Sequence, residues 1–198
     1  MPHVTIAFLA LASVLLVAIF TDLRARRIPN FLVVAGWLFA AAWHGAAPVG
    51  IWAFDPQESG AVGVSGSLLG LIAMMSAFLP FYALRIMGAG DVKLLSVVGA
   101  FFGATTGDWV QLVGVSLFVL VSGGLLAISR MLARGSAAAV VNNLKVILAG
   151  YAAHGAGVPG PSFDPKAGTA DRMPYAVAIA TGTISYLVAK WAGWMTVL

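Results

Sequence analysis

Long apolar stretches alternate with short polar interruptions along the whole chain. A helix that crosses a membrane needs roughly 20 mostly apolar residues, and six stretches approach or reach that length. The pattern therefore predicts an all-α, polytopic membrane protein with about six transmembrane helices. The predicted spans are residues 3–21, 31–45, 67–87, 91–103, 109–129 and 174–194.

Polar and helix-breaking residues mark the boundaries between these spans. The first span is followed by three arginines and then by Ile28-Pro29-Asn30, where the proline disfavours helical geometry in the residue before it. Gly88-Ala89-Gly90 separates the third span from the fourth. Because glycine lowers the barrier to unusual backbone geometry, we expect an unwound stretch at Gly88–Gly90 that presents an edge to an extended substrate.

A long polar region, residues 130–173, separates the fifth span from the last one. It contains the apolar segment 136–150, which is short and is interrupted by Asn142, Asn143 and Lys145. We interpret this segment as an amphipathic helix that lies on the membrane surface. The alternative is a seventh span, which would reverse the last helix and move the C-terminus to the other side.

The composition excludes two large classes of protein. Only 9% of the residues are charged and 61% are hydrophobic, whereas a typical soluble domain has about 25% charged residues. A soluble domain of this size could not bury so much apolar surface, and a disordered chain needs the opposite composition. The bilayer is therefore the predicted environment.

The chain has no cysteine, which excludes disulfides, cysteine-bound zinc and a thiol nucleophile. It also has no long basic run of the kind that binds nucleic acid. We predict no metal, no cofactor and no nucleic-acid partner.

The distribution of basic residues predicts the direction of the chain. If the N-terminus lies outside, ten of the eleven lysines and arginines fall on the cytosolic side, and Lys190 is the exception. The positive-inside rule therefore favours an N-out, C-out topology. Most acids then lie in loops, outside for Asp55, Glu58 and Asp108, and in the cytosolic loop for Asp164 and Asp171.

Two acids stand at the same predicted membrane face. Asp22 ends the first span and Asp91 begins the fourth. Two carboxyl groups that lie close together share a proton, so that one can accept a proton from water while the other donates one. Each acid also has a structural interpretation, because Asp22 has arginine neighbours and Asp91 suits a helix N-terminus. A small transporter or channel would use the same pair as a proton or cation site.

Lys93 follows Asp91 by two residues. It either tunes the acid electrostatically or extends its ammonium group to the membrane interface, and the sequence favours neither interpretation.

Three ordered motifs resemble the prepilin peptidases, a family of GxGD-type membrane aspartic proteases. Gly88-Ala89-Gly90-Asp91 matches the GxGD motif, and Val92-Lys93-Leu94 continues it in the form typical of this family. Asp22, followed by Ile28-Pro29-Asn30, is similar to the segment of the first catalytic aspartate. Met173-Pro174-Tyr175-Ala176, with the alanine-rich stretch up to Gly182, resembles the C-terminal signature.

The resemblance implies an aspartic endopeptidase that removes leader peptides during pilus biogenesis. Its substrates would be type IV, Flp-like prepilins or pseudopilins, cleaved at the cytosolic face of the bacterial inner membrane. The family assigns catalysis to Asp22 and Asp91. It implies supporting roles for the other motif residues, Gly88, Gly90, Lys93, Pro29, Asn30, Pro174 and Tyr175.

The chain resembles the short form of this family, as in Tad/Flp pilus systems. Longer members carry an N-terminal segment with zinc-binding cysteines and methyltransferase activity, which is not expected here. Residues 1–198 are therefore expected to form one transmembrane peptidase domain. Archaeal preflagellin peptidases share the GxGD motif, and a non-catalytic pilus-assembly protein with the same fold is a further alternative.

Overall fold

Helices make up almost all of the chain that the structure describes. The computed structural model describes residues 2–46, 61–84, 86–105, 107–138 and 174–193, together with 141–142, 145–146 and 149–150. Within these residues the only extended pairing is an isolated bridge between Thr105 and Asp108, so the predicted all-α class is confirmed. The helices with defined bounds in this part are α1 (Pro2–Ala25), α2 (Asn30–Ala46), α3 (Gly63–Ala83), α4 (Ala89–Phe102), α5 (Val110–Ala133) and α6 (Tyr175–Trp191).

Three of these helices are long and apolar enough to cross a membrane. Within the described residues the candidate spans are Ile6–Ala25, Gly63–Ala83 and Val110–Ala133, and α2 is a shorter apolar helix. Large apolar side chains such as Leu16 and Leu125 are exposed along them, as expected for a surface that faces lipid. These helices indicate a membrane protein. The count of six spans and the N-out orientation remain predictions.

The boundary between α3 and α4 differs from the prediction. The backbone N–H of Leu84 donates to the Pro80 carbonyl oxygen, and the N–H groups of Ile86 and Met87 both donate to that of Phe81. The chain therefore turns after Ala83, inside the stretch that hydropathy assigns to the third span. The predicted unwinding at Gly88–Gly90 is correct only for Gly88, which is extended.

The expectation of unwound backbone at Ala89 and Gly90 is wrong, because both lie in the first turn of α4. A helix can begin there because its first N–H groups need no acceptor within the helix. Another difference is at the end of α5, which continues to Ala133 and includes Arg130 in its last turn. A cation in that position is stabilised by the helix dipole.

The described residues within segment 136–150 are helical or precede a helical residue, which both the interfacial and the spanning interpretation require. Residues 151–173, which include Asp164, Asp171 and His154, lie outside the described part of the chain. The same holds for Asp55 and Glu58.

Helix α4 forms the centre of the core. Nine of its 14 residues are buried, and it packs against α1, α2, α3 and α6. A helix that is apolar on all sides is typical of such an enclosed position. The contact with α3 is close: a Cβ atom at Gly70 would lie 2.2 Å from the carbonyl oxygen of Gly99, and one at Gly99 would lie 2.3 Å from that of Gly70. Only glycine fits at these two positions.

The chain divides into two compact units. One contains Met1–Gly123 and Pro174–Leu198, and the other contains Gly124–Met173. All the residues that form the candidate site belong to the first unit.

Candidate active site

Four helix termini meet at one end of the first unit. They are the end of α1 and the beginnings of α2, α4 and α6, joined by side-chain contacts that are described below. Asp22 lies in the last turn of α1, and Asp91 is the third residue of α4. Both predicted catalytic residues therefore lie at helix ends.

The carboxyl group of Asp91 closes the N-terminus of its own helix. Its Oδ2 accepts a hydrogen bond of 3.0 Å from the backbone N–H of Gly88, and the residue is only 9% exposed. A Cβ atom at Gly88 would lie 3.0 Å from the same oxygen. Gly88 is therefore suited to this position because it lets the backbone approach the carboxyl group closely.

The carboxyl group of Asp22 is held by the N-terminus of α6. Its Oδ2 accepts a hydrogen bond of 3.2 Å from the backbone N–H of Ala176, and Asp22 is 8% exposed. The positive end of the α6 dipole favours a negative charge at this point. The motif Pro174-Tyr175-Ala176 therefore contacts Asp22 through the backbone of the motif. The side chains of the motif do not predict this contact.

The structure brings the two carboxyl groups together although they are far apart in sequence. The negative charge of Asp22 acts on the carboxyl group of Asp91. A carboxylate offers about four lone pairs to donors, so one backbone hydrogen bond leaves oxygen available for water or a shared proton. This arrangement can support general acid–base chemistry.

Tyr175 lies beside the pair. It is half-buried at the start of α6, and the charge of Asp91 acts on its hydroxyl group. Pro174 immediately precedes the helix, a position that proline tolerates because the first helical N–H groups lack partners.

The structure gives Lys93 a partner that neither interpretation from the sequence included. Its ammonium group donates a hydrogen bond of 3.0 Å to Oδ1 of Asn30, the first residue of α2. The neighbouring Pro29 provides the carbonyl oxygen that accepts the N–H groups of Leu32 and Val33. Pro29 therefore supplies the first carbonyl acceptor of α2, and Asn30 connects α2 to α4.

Gly90 makes a further contact between the same segments. A Cβ atom at Gly90 would lie 3.4 Å from Cβ of Ile28. Ile28 therefore packs against the backbone beside Asp91, at the distance of an ordinary van der Waals contact.

Other polar residues lie elsewhere. Asp108 accepts the backbone N–H of Val110 and so caps α5, and its charge acts on Lys190. Among the described residues, no group of three or more His, Asp or Glu residues could hold a metal ion.

The family comparison covers the part of this site that α1, α2 and α4 contribute. The model of the type IV leader peptidase family matches residues 9–128, which is more than half of the chain and includes both Asp22 and Asp91. Comparisons with curated proteins and with solved structures found no match. The resemblance to prepilin peptidases is thus confirmed by the family match, and the chain belongs to the type IV leader peptidase family.

Proposed function

We propose that the protein is a membrane-embedded aspartic endopeptidase that removes the leader peptide of type IV prepilins or pseudopilins. The observation that carries this proposal is the pair of buried, electrostatically coupled carboxyl groups of Asp22 and Asp91. Burying two acids is unfavourable unless hydrogen bonds or a shared proton compensate. A pair placed in this way, in a chain of a peptidase family, is best explained by catalysis.

The pair would hydrolyse a peptide bond with a shared proton. The ionised carboxylate removes a proton from water, and the water oxygen attacks the carbonyl carbon of the scissile bond. The protonated carboxyl group donates its proton to the carbonyl oxygen. When the tetrahedral intermediate collapses, the C–N bond breaks, and the leaving nitrogen takes the proton that the first carboxyl group had accepted from water. One hydroxyl group of the intermediate returns its proton to the second carboxylate, which restores the shared-proton pair.

The backbone donors at the site support this chemistry. The N–H groups of Ala176 and Gly88 each hold one oxygen of the two carboxyl groups, which fixes the orientation of the acids before the substrate arrives. Such preorganised donors lower the reorganisation needed in the transition state.

The proposed cellular location is the cytosolic face of the bacterial inner membrane. Arg24, Arg26 and Arg27 are exposed at the end of α1, within or just after the turn that carries Asp22, and clustered basic residues favour the cytosolic side. Flp-like precursors are the proposed substrates because the motifs resemble those of the short, Tad-associated peptidases.

The proposal is tested with purified protein in detergent or liposomes and candidate prepilin precursors. The unmodified protein should release the leader and leave one new N-terminus, identified by mass spectrometry. Asp22→Asn should lower the cleavage rate by about 10³-fold or more, with an unchanged circular dichroism spectrum. Full cleavage by Asp22→Asn would contradict the proposal. Ion flux into liposomes that depends on Asp22, without cleavage, would favour the transporter alternative.

A further inference from the structure

The N-terminal end of α4 is restrained from outside its own helix. Lys93, two residues after Asp91, donates its hydrogen bond to Asn30, which is 63 residues away in sequence. Lys93 is partly buried and Asn30 is exposed. The contact therefore joins the beginnings of α2 and α4 at the rim of the candidate site.

A second contact restrains the first turn of α4, at the residue that precedes Asp91. Gly90 packs against Ile28, with 3.4 Å between Cβ of Ile28 and the position that a Cβ atom would take at Gly90. Ile28 and Asn30 flank Pro29, whose ring fixes its backbone φ angle. The residues that hold the segment around Asp91 therefore lie on both sides of Pro29, whose backbone is rigid.

These restraints matter because the first turn of a helix is its weakest part. Its N–H groups lack acceptors within the helix, and helix ends fray readily. Deeper in α4, the indole N–H of Trp37 donates to Ser96 and the backbone of Gly36 contacts Val97, which fixes α2 against α4 only beyond the first turn. Asp91 itself is held within its own segment by hydrogen bonds with Gly88, and the contacts at the rim connect that segment to Ile28 and to Asn30 of α2.

From this geometry we infer that Lys93 and Asn30 are positioning residues, whose hydrogen bond sets the place of Asp91 relative to Asp22. The inference rests on the proposed function only for its effect on rate. The effect on the position of Asp91 is inferred directly from the contacts of Lys93 and Gly90. Lys93 acts through Asp91 and takes no part in the proton transfers. The Ile-Pro-Asn segment and the GxGD segment are separate in sequence, but they contact each other and together position Asp91.

A crosslinking experiment tests the positional effect without relying on cleavage. The chain contains no cysteine, so a disulfide between Ile28→Cys and Gly90→Cys reports only on these two positions. Their separation of 3.4 Å is close to the 3.5–4.5 Å of disulfide Cβ atoms. Mild oxidation should form the bond rapidly. Adding Lys93→Met should slow its formation several-fold, whereas Lys190→Met, which removes a lysine at the other end of the unit, should not.

The same substitutions are then measured as catalysts in chains without cysteines. Lys93→Met and Asn30→Ala should each lower kcat by roughly 10- to 100-fold, since a misplacement of about 1 Å has effects of this size, while KM changes less than about twofold. The double variant should be no slower than the slower single variant, because both remove one contact. Asn30→Asp keeps an oxygen acceptor and should restore most of the rate.

Two results would overturn the inference. One is an unchanged rate of disulfide formation in the Lys93→Met background. The other is a kcat for Lys93→Met equal to that of the unmodified protein. If the unmodified protein cleaves no precursor, the proposed function fails, and the crosslinking result still decides whether Lys93 positions the first turn of α4. Thermal unfolding in detergent separates these effects from general loss of stability.

Discussion

The two ends of the helical unit both bury polar groups, and they do so in different ways. At the end that carries the candidate site, the buried groups are the carboxyl groups of Asp22 and Asp91. At the opposite end the buried groups are neutral. There the backbone N–H of Val62 donates to Nδ1 of His44, at 3.3 Å, and Nε2 of the same ring donates to the carbonyl oxygen of Phe101, at 3.0 Å.

At the neutral end, the buried polar groups have a structural role. His44 is 3% exposed and both of its ring nitrogens have partners on other segments. Ser67 likewise donates to the carbonyl oxygen of Ala100 and ties α3 to α4. A buried polar group that is fully paired contributes modestly to stability. These contacts close the end of the unit with no charge.

The carboxyl end differs because its groups retain lone pairs that the protein does not need for structure. Charged groups are far less favourable to bury than neutral ones. A bundle that needed only closure at this end could use the arrangement around His44. Under the proposed function, this difference separates chemistry at one end from structural closure at the other, and the following substitutions test that division.

The largest effect on the cleavage rate is expected when an aspartate at the candidate site is changed to asparagine. The same change at the opposite end is the control. Asp91→Asn should lower the cleavage rate by about 10³-fold or more, because the amide cannot exchange the shared proton. Asp108→Asn should change the rate by less than about twofold, because Asp108 is exposed and asparagine caps a helix as well as aspartate does. Steady-state cleavage of one precursor measures both. Similar losses in the two variants would remove the distinction between the ends.

The next largest effect is on stability, at the contact of α3 with α4. Gly70→Ala places a Cβ atom 2.2 Å from the Gly99 carbonyl oxygen and should destabilise the protein by about 3 kcal/mol or more. Gly124→Ala is the matched control, because nothing lies within 4 Å of a Cβ atom there. It should stabilise the helix by about 0.5–1 kcal/mol. Thermal unfolding in detergent gives both values, and equal stabilities would contradict the close contact.

A smaller effect is expected at His44. His44→Ala leaves the N–H of Val62 and the carbonyl oxygen of Phe101 without their ring partner, and should lower the free energy of unfolding by about 2 kcal/mol. His44→Gln keeps a donor and an acceptor and should lose less. The cleavage rate per folded molecule should stay within about twofold in both, since the ring is far from any proton transfer. A large fall in that rate would assign His44 to the chemistry.

The smallest effect is expected from Thr183. Its hydroxyl oxygen is buried and has no hydrogen-bond partner within the described residues. Thr183→Val should therefore raise the free energy of unfolding by about 1 kcal/mol. Thr181→Val is the control, because the Thr181 hydroxyl donates to the carbonyl oxygen of Val177 and its removal should give no gain. Destabilisation by Thr183→Val would show that the hydroxyl has a use.

The sequence predicts the helices and the convergence of the two acids, because alternating spans return the chain to the same face. It misses the contacts that hold the acids. The donor to Asp22 is a backbone N–H at Ala176, and a backbone group has no residue signature. The partner of Lys93 depends on how α2 and α4 are rotated about their axes, which hydropathy does not specify. The turn after Ala83 is missed because residues 84–87 contain no glycine or proline to mark it.

The length of α4 has a consequence for the surrounding lipid. Its 14 residues rise about 21 Å, and the hydrocarbon core of a bilayer is about 30 Å thick. Four other helices surround α4. As the predicted fourth span, α4 would leave about 9 Å of this thickness to be met by water that enters at its ends or by a locally thinner bilayer. We therefore expect the proposed cleavage rate to depend on acyl-chain length, because longer lipids would lengthen the path that water travels to the carboxyl pair.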